Sequence, residues 1–345
     1  REGILMRMAF AAISFVFGVG TALADDVEVT VENFTIAETD LYMSDHSAEH
    51  AVNTIRHSRE PSSPENQFVI TENKDVLYSH AVVDTEGGAT ITNPDWDYLS
   101  MIQIIDEAHY TLHVLYAGES VTLTPSDLTT GRYVFLNMRT GLKSTDEAGL
   151  SEAHAHQDGF LIEASSAEPY PPKGFDRDSQ DEVRAALVAR AGEADQPEKF
   201  FGRPEDVDPE MFLIATAKGW GGLPYKDAVY ISTIVPEGDA AEGACARMTL
   251  PEPPLKFDEG AFFSVTTYSA ESWIVEENYA LNNRGAVVND DGSVTFRYNC
   301  PGEANNLDVQ PGWTQVIRLY QPESADAISE YVAEIASSVK VIPGK

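Results

Sequence analysis

The chain is 345 residues long and 43% hydrophobic, enough to bury a large core and to divide into two domains. Its 56 acidic side chains outnumber 23 basic ones, and a formal charge of -33 repels phosphate backbones and anionic lipid heads, which argues against a nucleic-acid partner. Such a balance suits a salty habitat or simply a well-hydrated exterior.

At the start, Arg7 precedes an apolar run from Met8 to Val19 and then Ala22-Leu23-Ala24, the small-x-small pattern that signal peptidase cuts. Residues 1–24 therefore read as a signal peptide and Asp25 as the first mature residue. The run falls short of the roughly twenty residues of a spanning helix, and no later stretch is better suited, so the expectation is a periplasmic or secreted protein without an integral membrane segment. From Val27 to Val31 the pattern is strand-like, turning helical by Ala37. His46, Glu49 and His50 then spell H-x-x-E-H, which on a helix would set two imidazoles on one face for zinc. No third ligand is identifiable, and a solvated helix end explains the same residues.

The next block is β structure, with apolar residues alternating with polar ones in Val76–Val83, Tyr98–Ile105, Tyr110–Tyr116 and Arg132–Met138. Alternation puts Val76, Tyr78, His80 and Val82 on one side of their strand, and Tyr133, Phe135, Asn137 and Arg139 on one side of theirs. Tyr78, His80, Gln103, His113, Asn137 and Arg139 interrupt otherwise apolar strands. Converging, they would line a mixed aromatic and polar ligand cavity; the alternative is the wet face of a half-buried sheet. Asp75, His80, Asp106, His109 and Arg139 form the best catalytic candidate set, in which a carboxylate orients a histidine as general base and Arg139 holds a substrate carboxylate or hydroxyl. The same residues serve equally well as turn caps, a satisfied core histidine and a loop tie. His154 and His156, two apart in a helical stretch, point to different sides and cannot share a metal readily.

Residues 25–165 thus read as an N-terminal β domain, and 166–218 as a short helical connector. One helix there starts at Ser179, with Glu182 completing a capping box and Gly192 as its stop; a second starts from Asp208 and Pro209 and ends at Gly219. From Gly219-Trp220-Gly221-Gly222 onward, strands are expected at Ala228–Val235, Ala246–Leu250, Phe262–Tyr268, Ser293–Tyr298 and Trp313–Tyr320. A hairpin turn falls at Asp290-Asp291-Gly292, and a C-terminal helix at Ser324–Ser337 caps this domain or meets a second subunit. The fold class expected is mainly β, two antiparallel sandwich or jelly-roll-like domains with the helical connector between them. The two cysteines, Cys245 and Cys300, pair or remain as buried thiols.

Several stretches carry a resemblance: His57–Pro61 (HSREP), Asn73–Ser79 (NKDVLYS), Gln103–Tyr110 (QIIDEAHY) and Arg132–Thr140 (RYVFLNMRT). Together with Phe262–Tyr268 (FFSVTTY), NNRGAVVNDDGSVTF and PGWTQVIRLYQP, they resemble the bacterial tandem family that pairs domain of unknown function 1254 with domain of unknown function 1214. Lys74 stands where that family has Arg, and a lysine cannot make the planar bidentate contact of a guanidinium. The resemblance implies no established activity, cofactor or metal. Binding of a small polar or carbohydrate-like ligand is the first expectation, in a cleft of the N-terminal domain where Tyr78, Gln103, His113, Asn137 and Trp220 make contact. Trp96, Tyr98, Tyr116, Trp220 and Trp273 are available for stacking on rings. The alternative is a hydrolase or lyase working through the His, Asp and Arg set. Self-association is left open.

Overall fold

The computed structural model describes residues 26–67 and 70–344; the expected signal peptide lies outside the described residues. The described chain is mostly β, with 16 strands and 5 helices. Val27–Val31 is not a strand: only Val27 makes a bridge, to Phe175. Helix α1 (Phe34–Glu49) follows it and begins earlier than the apolar spacing suggests, because Phe34 and Ala37 are both drawn fully into a core.

Eight strands come next: β1 (Arg56–His57), β2 (Val76–Asp84), β3 (Ala89–Thr92), β4 (Ser100–Asp106), β5 (Thr111–Tyr116), β6 (Ser120–Leu123), β7 (Tyr133–Gly141) and β8 (Leu161–Ala164). Five form an antiparallel sheet in the order β1-β2-β7-β4-β5, and three form a small sheet, β6-β3-β8. One face of the larger sheet, with Ala81, Val83, Ile102, Ile104, Val134 and Leu136, packs on Ala89, Ile91 and Leu123 of the smaller. The short strands β3, β6 and β8 close this layer, with only alternate residues in them turned inward. Helix α2 (Glu147–Gln157), capped by Asp146 accepting from the Gly149 amide, leads into β8.

Helices α3 (Arg177–Ala189) and α4 (Pro209–Gly219) then pack on α1, joining Phe34 and Ala37 to Leu187 and Ile214. The cap of α3 is Asp176 rather than Ser179, so the expected capping box does not form. Asp176 accepts from the Ser179 amide at 2.8 Å, which frees the Ser179 hydroxyl to accept from the Val29 amide at 3.0 Å. Gly192 falls in a separate short turn beyond the helix end. Asp208 caps α4 as its sequence implies, accepting from the Glu210 and Met211 amides.

The remaining strands are β9 (Ala228–Ile231), β10 (Ala246–Leu250), β11 (Phe263–Tyr268), β12 (Ala280–Asn282), β13 (Val294–Tyr298), β14 (Asn306–Leu307), β15 (Thr314–Tyr320) and β16 (Ile342–Pro343). They make two four-stranded sheets, β12-β11-β15-β9 and β14-β13-β10-β16, antiparallel except between β13 and β14. Phe263, Val265, Ile317 and Leu319 from one sheet meet Met248, Leu250, Phe296 and Tyr298 from the other. Helix α5 (Ala325–Ser338) adds Ile328 and Ile335, both fully buried, to this core, so it caps the sheets. Cys245 and Cys300, beside the Ala246–Tyr298 pair of β10 and β13, are joined in a disulfide. No helix among the described residues is long and apolar enough to cross a membrane.

The sheet β12-β11-β15-β9 does not leave its outer face to water. Ala228, Phe262 and Tyr320 pack on Val76, Tyr98, Leu99 and Met101 at the near end of the first sheet, and Asn73 donates to the Tyr320 hydroxyl at 2.8 Å. The two sheets therefore face each other through the sides that carry their polar residues.

Candidate functional site

Cross-strand register decides which expected site residues meet. On β2, β7 and β4, Tyr78 lies opposite Arg139 and Arg139 opposite Met101; one row on, His80, Asn137 and Gln103 stand side by side, followed by Val82, Phe135 and Ile105. Alternation within each strand thus turns Tyr78, His80, Gln103, Asn137 and Arg139 to one face. His113 pairs with Ile104, whose side chain takes the opposite face, and it stands at the sheet edge beside Arg203. The structure removes His113 from the group.

Over this face folds the turn that follows α4. Trp220 stacks on Tyr42 with centroids 4.0 Å apart, and its indole N–H donates to Thr39 of α1. Anchored there, the chain turns through Gly221, whose φ of 76° suits a residue without a β-carbon. Arg139 Nη2 donates to the Gly221 carbonyl at 2.9 Å and Gln103 Nε2 to the Gly222 carbonyl at 2.8 Å, while Arg139 Nη1 donates to Gln103 Oε1. The Gly221 amide donates to His109 Nε2 at 2.9 Å, so the proton of the neutral ring sits on Nδ1, facing the Thr216 hydroxyl. Gln103, His109, Arg139 and Trp220 therefore meet on one peptide turn.

Burial drives the His109 ring down to about 3, so it is neutral across the physiological range. The linkage sign follows. The unfolded ring protonates near its ordinary 6.5 while the folded ring does not, so stability is whole above that value and is lost as pH falls toward 3. The variant His109→Gln cannot titrate. Between pH 7 and 5 the native chain should lose roughly 2 kcal/mol more than this variant. Urea midpoints of both proteins at the two pH values measure it, and parallel losses would contradict the assignment.

The aspartates stand apart. Asp106 spans the β4–β5 turn, accepting from the Ala108, Tyr110 and Thr129 amides at 3.0 Å each, and burial raises its carboxyl. Asp75 lies at the other end of the sheet, roughly 25 Å away by strand rise, and accepts from Asn282 at 2.9 Å. Burial raises it as well. His80 sits between Tyr78 and Phe135, and burial, with Arg56, His46 and Arg139 nearby, lowers it to about 3. The H-x-x-E-H string ends α1: His46 is buried, its ring 5.0 Å from that of His50, while Glu49 points to solvent. No group of three metal-binding side chains forms among the described residues.

The opposite wall was not evident from the sequence. On β9, β15 and β11, Tyr230, Arg318 and Ser264 form one row, flanked on the same face by Tyr320 and by Thr266 and Tyr268. Arg318 donates to Thr266 at 3.0 Å and to the Thr71 carbonyl at 2.5 Å. Its signal is a charge between Ile317 and Leu319 within an alternating strand. Tyr230 keeps 38% of its surface accessible, yet burial is the first cause raising its hydroxyl, with Arg139, Tyr78 and Arg318 all within electrostatic reach. That accessible surface belongs to a side chain on the face that β9 turns toward Tyr78 and Arg139, so the space between the two sheets is not filled there. Of the other ring candidates, Tyr98 is buried beneath Arg284 and Tyr116 donates to Asp227; Trp96 packs on His156, and Trp273 is exposed.

No curated protein matches the sequence. Among solved structures, the chain is similar to the VPA0106 protein of Vibrio parahaemolyticus, at 16% identity and a TM-score of 0.67 over 91% of this chain and 98% of that one. It is also similar to an uncharacterized protein from Burkholderia cenocepacia, again at 16% identity, with a TM-score of 0.51 over 90% of this chain and 87% of that one. At that identity the likeness shows the fold. Residues 52–125, from β1 through β6, match the family model described as protein of unknown function (DUF1254).

Proposed function

We propose that the chain is an exported binding protein that takes a small ligand in the recess between β2-β7-β4 and β9-β15-β11. In this reading the leader at 1–24 directs it to the periplasm or beyond, and two β units, 25–165 and 219–345, form the walls. The second unit is assigned to the partner domain of the tandem family on the landmarks quoted above. The observation that carries the reading is the Tyr230 side chain, which keeps 38% of its surface accessible on the face turned toward Tyr78 and Arg139. Binding is favoured over hydrolysis because His109 has both ring nitrogens engaged by protein groups, and because the two aspartates lie at opposite ends of the sheet.

Thermal denaturation of the purified chain against a metabolite library tests this. At least one compound should raise the melting temperature by several degrees, as a ligand of the native state must. Tyr78→Ala should abolish the rise without unfolding the protein. If no compound shifts the native chain, or if a shifted compound is turned over, the reading fails.

A further inference from the structure

Two guanidinium groups close on the recess from opposite sheets. Arg139 is 5% exposed and Arg318 is 4% exposed. Tyr230 and Tyr320 lie within electrostatic reach of both. Each arginine meets neutral acceptors: Arg139 donates to Gln103 and the Gly221 carbonyl, Arg318 to Thr266, the Thr71 carbonyl and the Tyr268 hydroxyl. That leaves three of the five N–H groups of Arg139 and two of those of Arg318 uncommitted to these acceptors. Between described residues, neither forms an ion pair with a carboxylate. Asp75, which Arg318 does influence, turns its Oδ1 to Asn282 instead.

A buried cation without a counter-ion is costly, and a chain with 56 acidic residues pairs neither guanidinium directly with a carboxylate among the described residues. The arrangement is the reverse of the surface: a positive interior in a strongly negative protein. We propose that the recess binds a small carboxylate, its head held by Arg139 and Arg318 and its apolar body laid against Tyr78 and Tyr230. This rests on the recess reading above and names its ligand class. A planar fork matches a carboxylate by two parallel N–H bonds, and the tyrosine rings supply apolar surface for the rest of the molecule. A phosphate dianion would call for further cations or a row of backbone amides, whereas tyrosines flank these arginines.

Calorimetric titration of the whole chain with phenylacetate and hexanoate, each against its amide, and with inorganic phosphate tests the assignment. An acid should bind at least about 30-fold tighter than its amide. Arg318→Gln should erase that preference, and Arg318→Lys, which keeps the charge but not the fork, should lower acid affinity about tenfold. Circular dichroism confirms that each variant is folded; should Arg318→Gln fail to fold, Arg318→Lys and Arg139→Lys carry the test. Amides that bind as well as acids, with binding lost in Tyr230→Ala, would overturn the carboxylate and leave the recess standing. Preference for phosphate would overturn it too, and binding of no probe would overturn both proposals.

Discussion

Replacing Cys245 and Cys300 together by alanine should lower the unfolding free energy by about 4 kcal/mol, the chain entropy released when a cross-link closing 55 residues is opened. The link spans β10 and β13, neighbours at the centre of the sheet that α5 covers, so its loss falls on the second core rather than on a loop. For a chain of this size the melting temperature should drop by roughly 6 °C. Scanning calorimetry of the double variant, and of the native chain with and without reductant, gives the number. A drop confined to a degree or two would mean that the unfolded chain is already compact around these residues.

Gly260→Ala should cost about 3 kcal/mol, from two sources that a second variant separates. The residue has φ 93°, where a β-carbon is strained, and that β-carbon would lie 2.8 Å from the Tyr98 carbonyl carbon and 2.9 Å from the Leu99 nitrogen. The obstacle is backbone, fixed by the bond from the Gly141 amide to the Leu99 carbonyl at 2.8 Å and by Tyr98 against Phe262. It cannot swing aside as a side chain would. Gly302, with φ 84° and nothing within 4 Å of its β-carbon position, is the control. Gly302→Ala should show only the dihedral part, about 1 kcal/mol. Equal losses in the two variants would show that the contact between the sheets yields. Because Gly260 touches the first sheet next to the recess, its alanine variant should also weaken ligand binding.

The long strands were legible because polar side chains recur two residues apart in runs of β-branched and aromatic ones, although both faces of β2 and β7 are largely buried. Val76–Asp84 and Tyr133–Gly141 extend what the apolar period marked, and that period turned Tyr78, His80, Asn137 and Arg139 to a common side. Periodicity fixes the face of a residue but not which sheet lies across from it. Arg318 and Tyr230 are therefore invisible in the sequence as partners of Arg139, and only the pairing of β5 with β4 separates His113 from that side. Strands β3, β6 and β8 escaped notice because four residues carry too little pattern to register against their polar neighbours. The H-x-x-E-H spacing was real on α1, yet burial of His46 and exposure of Glu49 divide it. Glycine roles divide similarly: the Gly219–Gly222 run could be recognised as a turn, but not that its carbonyls would occupy Arg139 and Gln103.

The bond from the Val29 amide to Ser179 reaches across 150 residues. During synthesis at ordinary rates, the ribosome needs roughly 8 to 30 s to travel that distance. For all that time the leading stretch has no native place to dock, and α1 lacks the α3 and α4 surfaces that receive Phe34 and Ala37. The first turns of α1 thus wait on a distant latch even after Met43, farther along the same helix, has met Val82 and Phe135.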